Sequence, residues 1–152
     1  MKLTDTQWML AALKNEVESV DVTDRVITYS SARFEDALDS IRSAPDKVVF
    51  VIPGGLDLKH NVQAGLAINM QMTRKATLLI AAGTPGNLCG DMQTATAMMD
   101  SIIAKILWNK LGDNQIICLP QSADPLEIRY EDAPGKMIWR LDIDIQSRFK
   151  NS

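Results

Sequence analysis

The chain has 152 residues, 46% of them hydrophobic and 23% charged, and a formal net charge of -3. That size and balance predict one globular domain over residues 1–152 with a buried core. The acidic balance, with a pI near 5.1, argues against nucleic acid as the main ligand, since such binders carry a clear basic patch.

The opening residues, Met1-Lys-Leu-Thr-Asp-Thr-Gln-Trp8, lack the apolar core of a signal peptide, and no apolar run approaches the length of a membrane span. A cytoplasmic protein with no membrane partner is therefore expected. Thr4 and Gln7 have capping-box spacing, and Leu10, Leu13, Val17 and Val20 follow at helical intervals, which predicts a first amphipathic helix. Arg25-Val-Ile-Thr-Tyr29 reads as a short strand. Phe34, Ala37, Leu38 and Ile41 predict a second, shorter helix that Pro45 stops.

Lys47-Val-Val-Phe-Val-Ile52 is a continuous apolar run bounded by Pro45 and Pro53-Gly-Gly55, the mark of a central, well-buried strand. Leu56 to Gln71 shows no clean period and reads as a long loop, a length that is commonly functional or mobile. Arg74 to Ala82 predicts another strand, ended at Gly83-Thr-Pro-Gly86. A long helix is expected from Asn87 or Leu88 to Leu111, with Met92, Ala95, Met99, Ile102 and Ile106 as its apolar stripe and Gly112 as its C-terminal cap. Gln115-Ile-Ile-Cys-Leu119 reads as a strand cut off by Pro120, and Leu126-Glu-Ile-Arg-Tyr130 as another.

The last segment is the most regular. Trp139, Leu141, Ile143 and Ile145 alternate with Arg140, Asp142, Asp144, Gln146 and Arg148, the period of a strand with one dry and one charged face. Strands that follow strands directly, with helices grouped before and between them, predict an α+β fold. In that layout two helices cover one face of a mainly antiparallel sheet and leave the other face wet.

Catalytic chemistry finds little support. The single histidine, His60, cannot build a His-rich metal site, and no G-x-S-x-G nucleophile motif is present. Gly54-Gly55 lacks both the G-x-G-x-x-G pattern and the G-K-[ST] needed to cradle phosphates, so it reads as a turn leaving a buried strand. Cys89 and Cys118 form no CxxC pair and read as reduced, buried thiols. Asp142 and Asp144 fall on one side of their strand, roughly 7 Å apart. A divalent-ion or acid/base role is conceivable there, but Arg140 and Arg148 on the same side favour a charged face with cross-strand pairs. Of the eight methionines, Met70 and Met72 lie in the expected loop, where Met suits an adaptable contact as well as a core gap.

The order of these segments resembles the tail proteins of Mu-like phages and prophages, which share the phage tail-terminator-like fold. The resemblance spans nearly the whole chain. It rests on the opening helix, Val48-Val-Phe-Val-Ile-Pro-Gly-Gly55 and the segment after it, Ala76-Thr-Leu-Leu-Ile80, the helix Asp91–Leu111, and Gly135-Lys-Met-Ile-Trp-Arg-Leu-Asp-Ile-Asp-Ile-Gln-Ser-Arg148. It implies a two-layer α+β sandwich and a non-enzymatic structural protein with no cofactor. It also implies self-assembly into a ring, expected to be a hexamer, at the end of a tail tube, in contact with tail-tube and head-completion proteins. Such a protein would occupy the bacterial host cytoplasm and then the virion tail.

The expected assembly interface comprises Lys59, His60, Met70, Met72, Arg74 and Lys75 from the loop and its flank, with Arg140, Asp142, Asp144 and Arg148 from the terminal strand. Two other readings stay open at this point. One is a tail-tube or baseplate component of the same particle. The other is a small metal- or nucleotide-dependent enzyme built around Asp57, Asp142 and Asp144.

Overall fold

A computed structural model of the chain describes residues 5–28, 47–63, 67–83, 91–112, 115–126 and 137–151. Its elements are α1 (Thr6–Glu18), β1 (Arg25–Thr28), β2 (Lys47–Gln63), β3 (Ala67–Ala82), α2 (Asp91–Ile106), β4 (Ile116–Pro125) and β5 (Met137–Asn151). The fold is α+β. The strands form one mixed five-stranded sheet in the order β1-β2-β3-β5-β4, parallel only between β1 and β2 and antiparallel elsewhere.

Helix α1 begins at Asp5, whose carboxylate accepts from the Trp8 backbone N–H at 3.1 Å, satisfying one of the donors a helix start leaves bare. The expected capping box set the cap one residue earlier, at Thr4, outside the described residues. Met9, Leu10, Leu13 and Val17 bury the inner face of α1. α2 buries Ala95, Met98, Met99, Ile102 and Ile106 against the same side of the sheet. Each larger side chain withdrawn from water in this way contributes roughly 1.5–3 kcal/mol before entropic costs. The expected second helix over Phe34–Ile41 and the strand expected at Leu126–Tyr130 lie largely outside the described residues, as does Cys89.

The sheet supplies the other half of this core through Val49, Val51, Leu78, Ile80, Leu141, Ile143 and Ile145. The terminal strand therefore turns its apolar phase to the helices as its alternation predicts, with Trp139 packed at the margin. The opposite face is not wet throughout. Val48, Phe50, Ile52, Leu79, Ala81 and Ile138 form a second buried cluster there. A continuous apolar run supplies both faces at once, so that end of the sheet is dry on two sides.

Three expectations change at element boundaries. The segment Leu56 to Gln71, read as a loop, belongs largely to the antiparallel pair β2–β3, whose register runs from Lys47↔Ala82 to Gln63↔Ala67. Pro53-Gly54-Gly55 does not end β2. The register passes from Pro53↔Ala76 to Leu56↔Arg74, so Gly54 and Gly55 together oppose Lys75 in a β-bulge. A Cβ on Gly54 would stand 3.0 Å from the Lys75 Cβ and carbonyl oxygen, so that strand crossing requires glycine.

Pro120 likewise does not end β4, which continues to Pro125 with a register shift between Pro120 and Ser122. β4 is an edge strand, where a residue without an N–H is tolerated. Finally, α2 stops at Ile106, short of the expected Leu111. The chain leaves it through Trp108 at φ 63 and Leu111 at φ 48, before Gly112 at φ 76.

Candidate functional site

The β-bulge shifts the phase of β2 by one residue, and that shift decides which side chains share a face. Before it, Val49 and Val51 face the helices. After it, Leu56 and Leu58 stand opposite Arg74 and Met72 in the register and so share the helix side. Met72 is 3% exposed and Arg74 9%, whereas Leu56 and Leu58 are 38% and 48% exposed. The helix side thus runs past its covered core along an arm built from β2, β3 and β5.

On the other side of the arm the charged residues come together. Thr77, Asp142 and Ser122 form one row across β3, β5 and β4, and the Asp142 carboxylate is its hub. It accepts from Thr77 Oγ1 at 2.8 Å, Ser122 Oγ at 3.4 Å and Arg140 Nε at 3.2 Å. Lys75 stands opposite Asp144 in the register, and its ammonium lies 3.5 Å from Asp57. The face is a lattice of short-range charge pairs in contact with water, each worth about 0–1 kcal/mol.

Of the residues singled out from the sequence, Lys59, Lys75, Arg140, Asp142 and Asp144 belong to this polar side. Met72 and Arg74 lie on the helix side and are buried. His60 and Met70 face each other in the β2–β3 register and Arg148 stands opposite Gln71 on β3; their side chains lie outside the described residues. The carboxylates of the enzyme reading are not gathered: Asp57 is on β2, two strands from Asp142 and Asp144, and points its charge at Lys75. Among the described residues no group of three or more His, Cys, Asp or Glu side chains could hold a metal ion.

Cys118 is buried in the helix-side core. Burial, reinforced by the nearby Glu16 carboxylate, pushes its thiol up to about 12, so it is a small hydrophobe at neutral pH and a poor nucleophile. An open groove of about 430 Å³ lies between α2 and the start of β2, lined in part by Asp21, Lys47, Gln93, Thr94 and Ser101. It contains none of the sequence-predicted residues. No helix among the described residues is long and apolar enough to cross a membrane.

Sequence reasoning missed Leu107 and Trp108. They are 45% and 63% exposed just beyond the end of α2. The available signal was slight: an aromatic residue off the apolar stripe of a helix expected to continue through it.

No protein-family model matches this chain. No curated protein matches its sequence. Among solved structures, the fold is similar to a chain in a structure titled "Virion of native gene transfer agent (GTA) particle", with a TM-score of 0.49 and 10% identity over 93% of this chain and 94% of that one.

Proposed function

We propose that this chain is a non-enzymatic structural protein of a phage or prophage tail, a terminator or completion protein that closes the end of the tail tube as a ring. The observation that carries this reading is the long arm whose outer edge has no strand partner among the described residues. β1 pairs only with Val48–Val51, while β2 continues to Gln63. Beyond Val51, the outer edge of β2 has no strand partner among the described residues. A long bare edge is a hazard in a monomer and a ready joint in an assembly.

The polar side of the same arm adds specificity. Lys59, Lys75, Arg140, Asp142 and Asp144 offer both signs of charge, and complementary charge sets register and partner choice more than raw affinity. His60, Met70 and Arg148 extend the proposed contact toward the end of the arm. A head-to-tail contact of this kind closes into a ring when its rotation permits, with tube and head-completion proteins above and below.

The test is charge reversal on a folded protein. Arg140→Glu and Asp142→Lys should leave the circular dichroism spectrum unchanged and weaken assembly onto purified tail tubes at least tenfold. Variants that assemble normally would remove the strand face from the interface. The open edge would also serve a tube or baseplate subunit, and particles made without the protein separate the two: a terminator leaves overlong tubes, a tube subunit leaves none.

A further inference from the structure

β4 ends the sheet on one side, and an edge strand offers its outward N–H and C=O groups to any extended chain that arrives. Here those groups are already taken. The Trp108 N–H, in the turn after α2, donates to the Cys118 carbonyl at 3.0 Å, and the Cys118 N–H donates to the Asn109 carbonyl at 2.9 Å. Residues of an antiparallel strand alternate between bonding the partner strand and facing away from it. Because Cys118 faces away from β5, so does Pro120, which has no N–H to offer. The register shift between Pro120 and Ser122 follows at once, and a bulge there interrupts any further regular pairing.

The turn that reaches Cys118 is bent for that purpose. Trp108 adopts φ 63 and Leu111 φ 48, left-handed values that disfavour residues with a Cβ. Burial of the Leu107 and Trp108 side chains does not compel the bend, since they are 45% and 63% exposed. What the bend achieves is backbone pairing with β4. Asn109 holds it with every polar atom it has. Its N–H donates to the Ile106 carbonyl at 2.9 Å and its own carbonyl takes the Cys118 N–H. Its side-chain amide donates to Glu16 of α1 at 3.0 Å and to the Lys105 carbonyl at 3.2 Å, and its side-chain oxygen accepts from the Leu111 N–H at 2.8 Å. Lys105 in turn lies 3.9 Å from the same Glu16 carboxylate. A strained backbone persists only where its surroundings over-determine it, and here they do.

We propose that the Trp108–Asn109 turn is an inhibitory strap, which closes the β4 edge to strand addition and is held shut by Asn109 clamped on Glu16. The strap makes the two sides of the sheet unequal: β4 is closed at Cys118 and Pro120, whereas β2 beyond Val51 has no comparable cover among the described residues. Asn109 and Glu16 are positioning residues in this device, and the strap's backbone is the part that blocks. The device does not depend on a role in a phage tail, so its failure would leave that reading untouched.

Native-state hydrogen exchange tests it, because local opening is read residue by residue. Asn109→Ala is prepared in the full chain, checked by circular dichroism, and compared with Leu13→Ala, which loosens the core without touching the strap. In Asn109→Ala the Cys118 amide should exchange roughly tenfold faster or more, while the Ile117 amide, bonded to β5, changes no more than in Leu13→Ala. Thioflavin fluorescence and sedimentation coefficient should then rise with concentration beyond the natural chain in Asn109→Ala, not in Leu13→Ala. Adding Ile117→Lys, a charge on the same edge strand, should suppress that rise. Glu16→Ala, on the helix surface, gives a second variant that keeps the fold and should free the Cys118 amide in the same direction by a smaller factor. Equal acceleration of the Cys118 and Ile117 amides would overturn the strap. An opened Cys118 amide without added association, or association as strong in Leu13→Ala, would overturn its inhibitory role.

Discussion

Two adjacent glycines should respond to the same substitution with opposite signs. A methyl group on Gly54 would meet the Lys75 Cβ and carbonyl oxygen at 3.0 Å and its carbonyl carbon at 3.2 Å. Lys75 cannot easily yield, because it lies in a strand held by β2 on one side and β5 on the other. Overpacking of this kind costs about 1–3 kcal/mol, against about 0.4–1 kcal/mol gained by restricting the unfolded chain. Gly54→Ala should therefore destabilise by about 1–2 kcal/mol. Gly55 has nothing within 4 Å of the same methyl position, so Gly55→Ala should be neutral or stabilising by up to about 1 kcal/mol. With a urea m-value of about 2 kcal/mol/M, the two midpoints should differ by about 1 M. Equal midpoints, or the reverse order, would refute the bulge and with it the phase shift that sets Leu56 and Leu58 on the helix side.

Leu13, fully buried between α1 and the sheet, should cost about 2–5 kcal/mol when changed to Ala, read as a lower urea midpoint with unchanged m-value. Cys118 should resist thiol reagents at pH 8 in the folded protein and react once urea unfolds it. Its folded value of about 12 lies above the ordinary 9.0, so the unfolded chain loses this proton first. The stability contribution is complete below pH 9.0 and falls away toward pH 12, by about 1.4 kcal/mol per pH unit inside that window. Cys118→Ala should flatten that part of a stability-against-pH curve.

The fold was legible where one physical cause governed a segment. β5 declared itself because alternation between a helix-covered face and a charged one runs unbroken through Leu141, Ile143 and Ile145. The apolar start of β2 was equally plain. The arm was legible in principle: Leu56, Leu58 and Val62 alternate with Asp57, Lys59, Asn61 and Gln63, and Ile68, Met70 and Met72 with Asn69, Gln71 and Thr73. Pro53-Gly54-Gly55 hid it, because a bulge and a turn use the same residues while the bulge shifts the phase by one. Pro120 misled in the same way, since only the strand order shows that β4 is an edge. Sequence spacing joined Asp142 to Asp144, but their partners Thr77, Ser122 and Lys75 come from strands distant in the chain. The Trp108 turn was beyond reach, because its cause is a set of hydrogen bonds to Glu16 and Cys118 that only the folded arrangement creates.

If this chain ends the growth of a tail tube, as proposed, tube length reports it. Electron microscopy of particles assembled with the gene deleted should show tubes of uncontrolled, excessive length, and supplying the protein should restore one uniform length. Tubes of normal, uniform length in its absence would rule out a terminator.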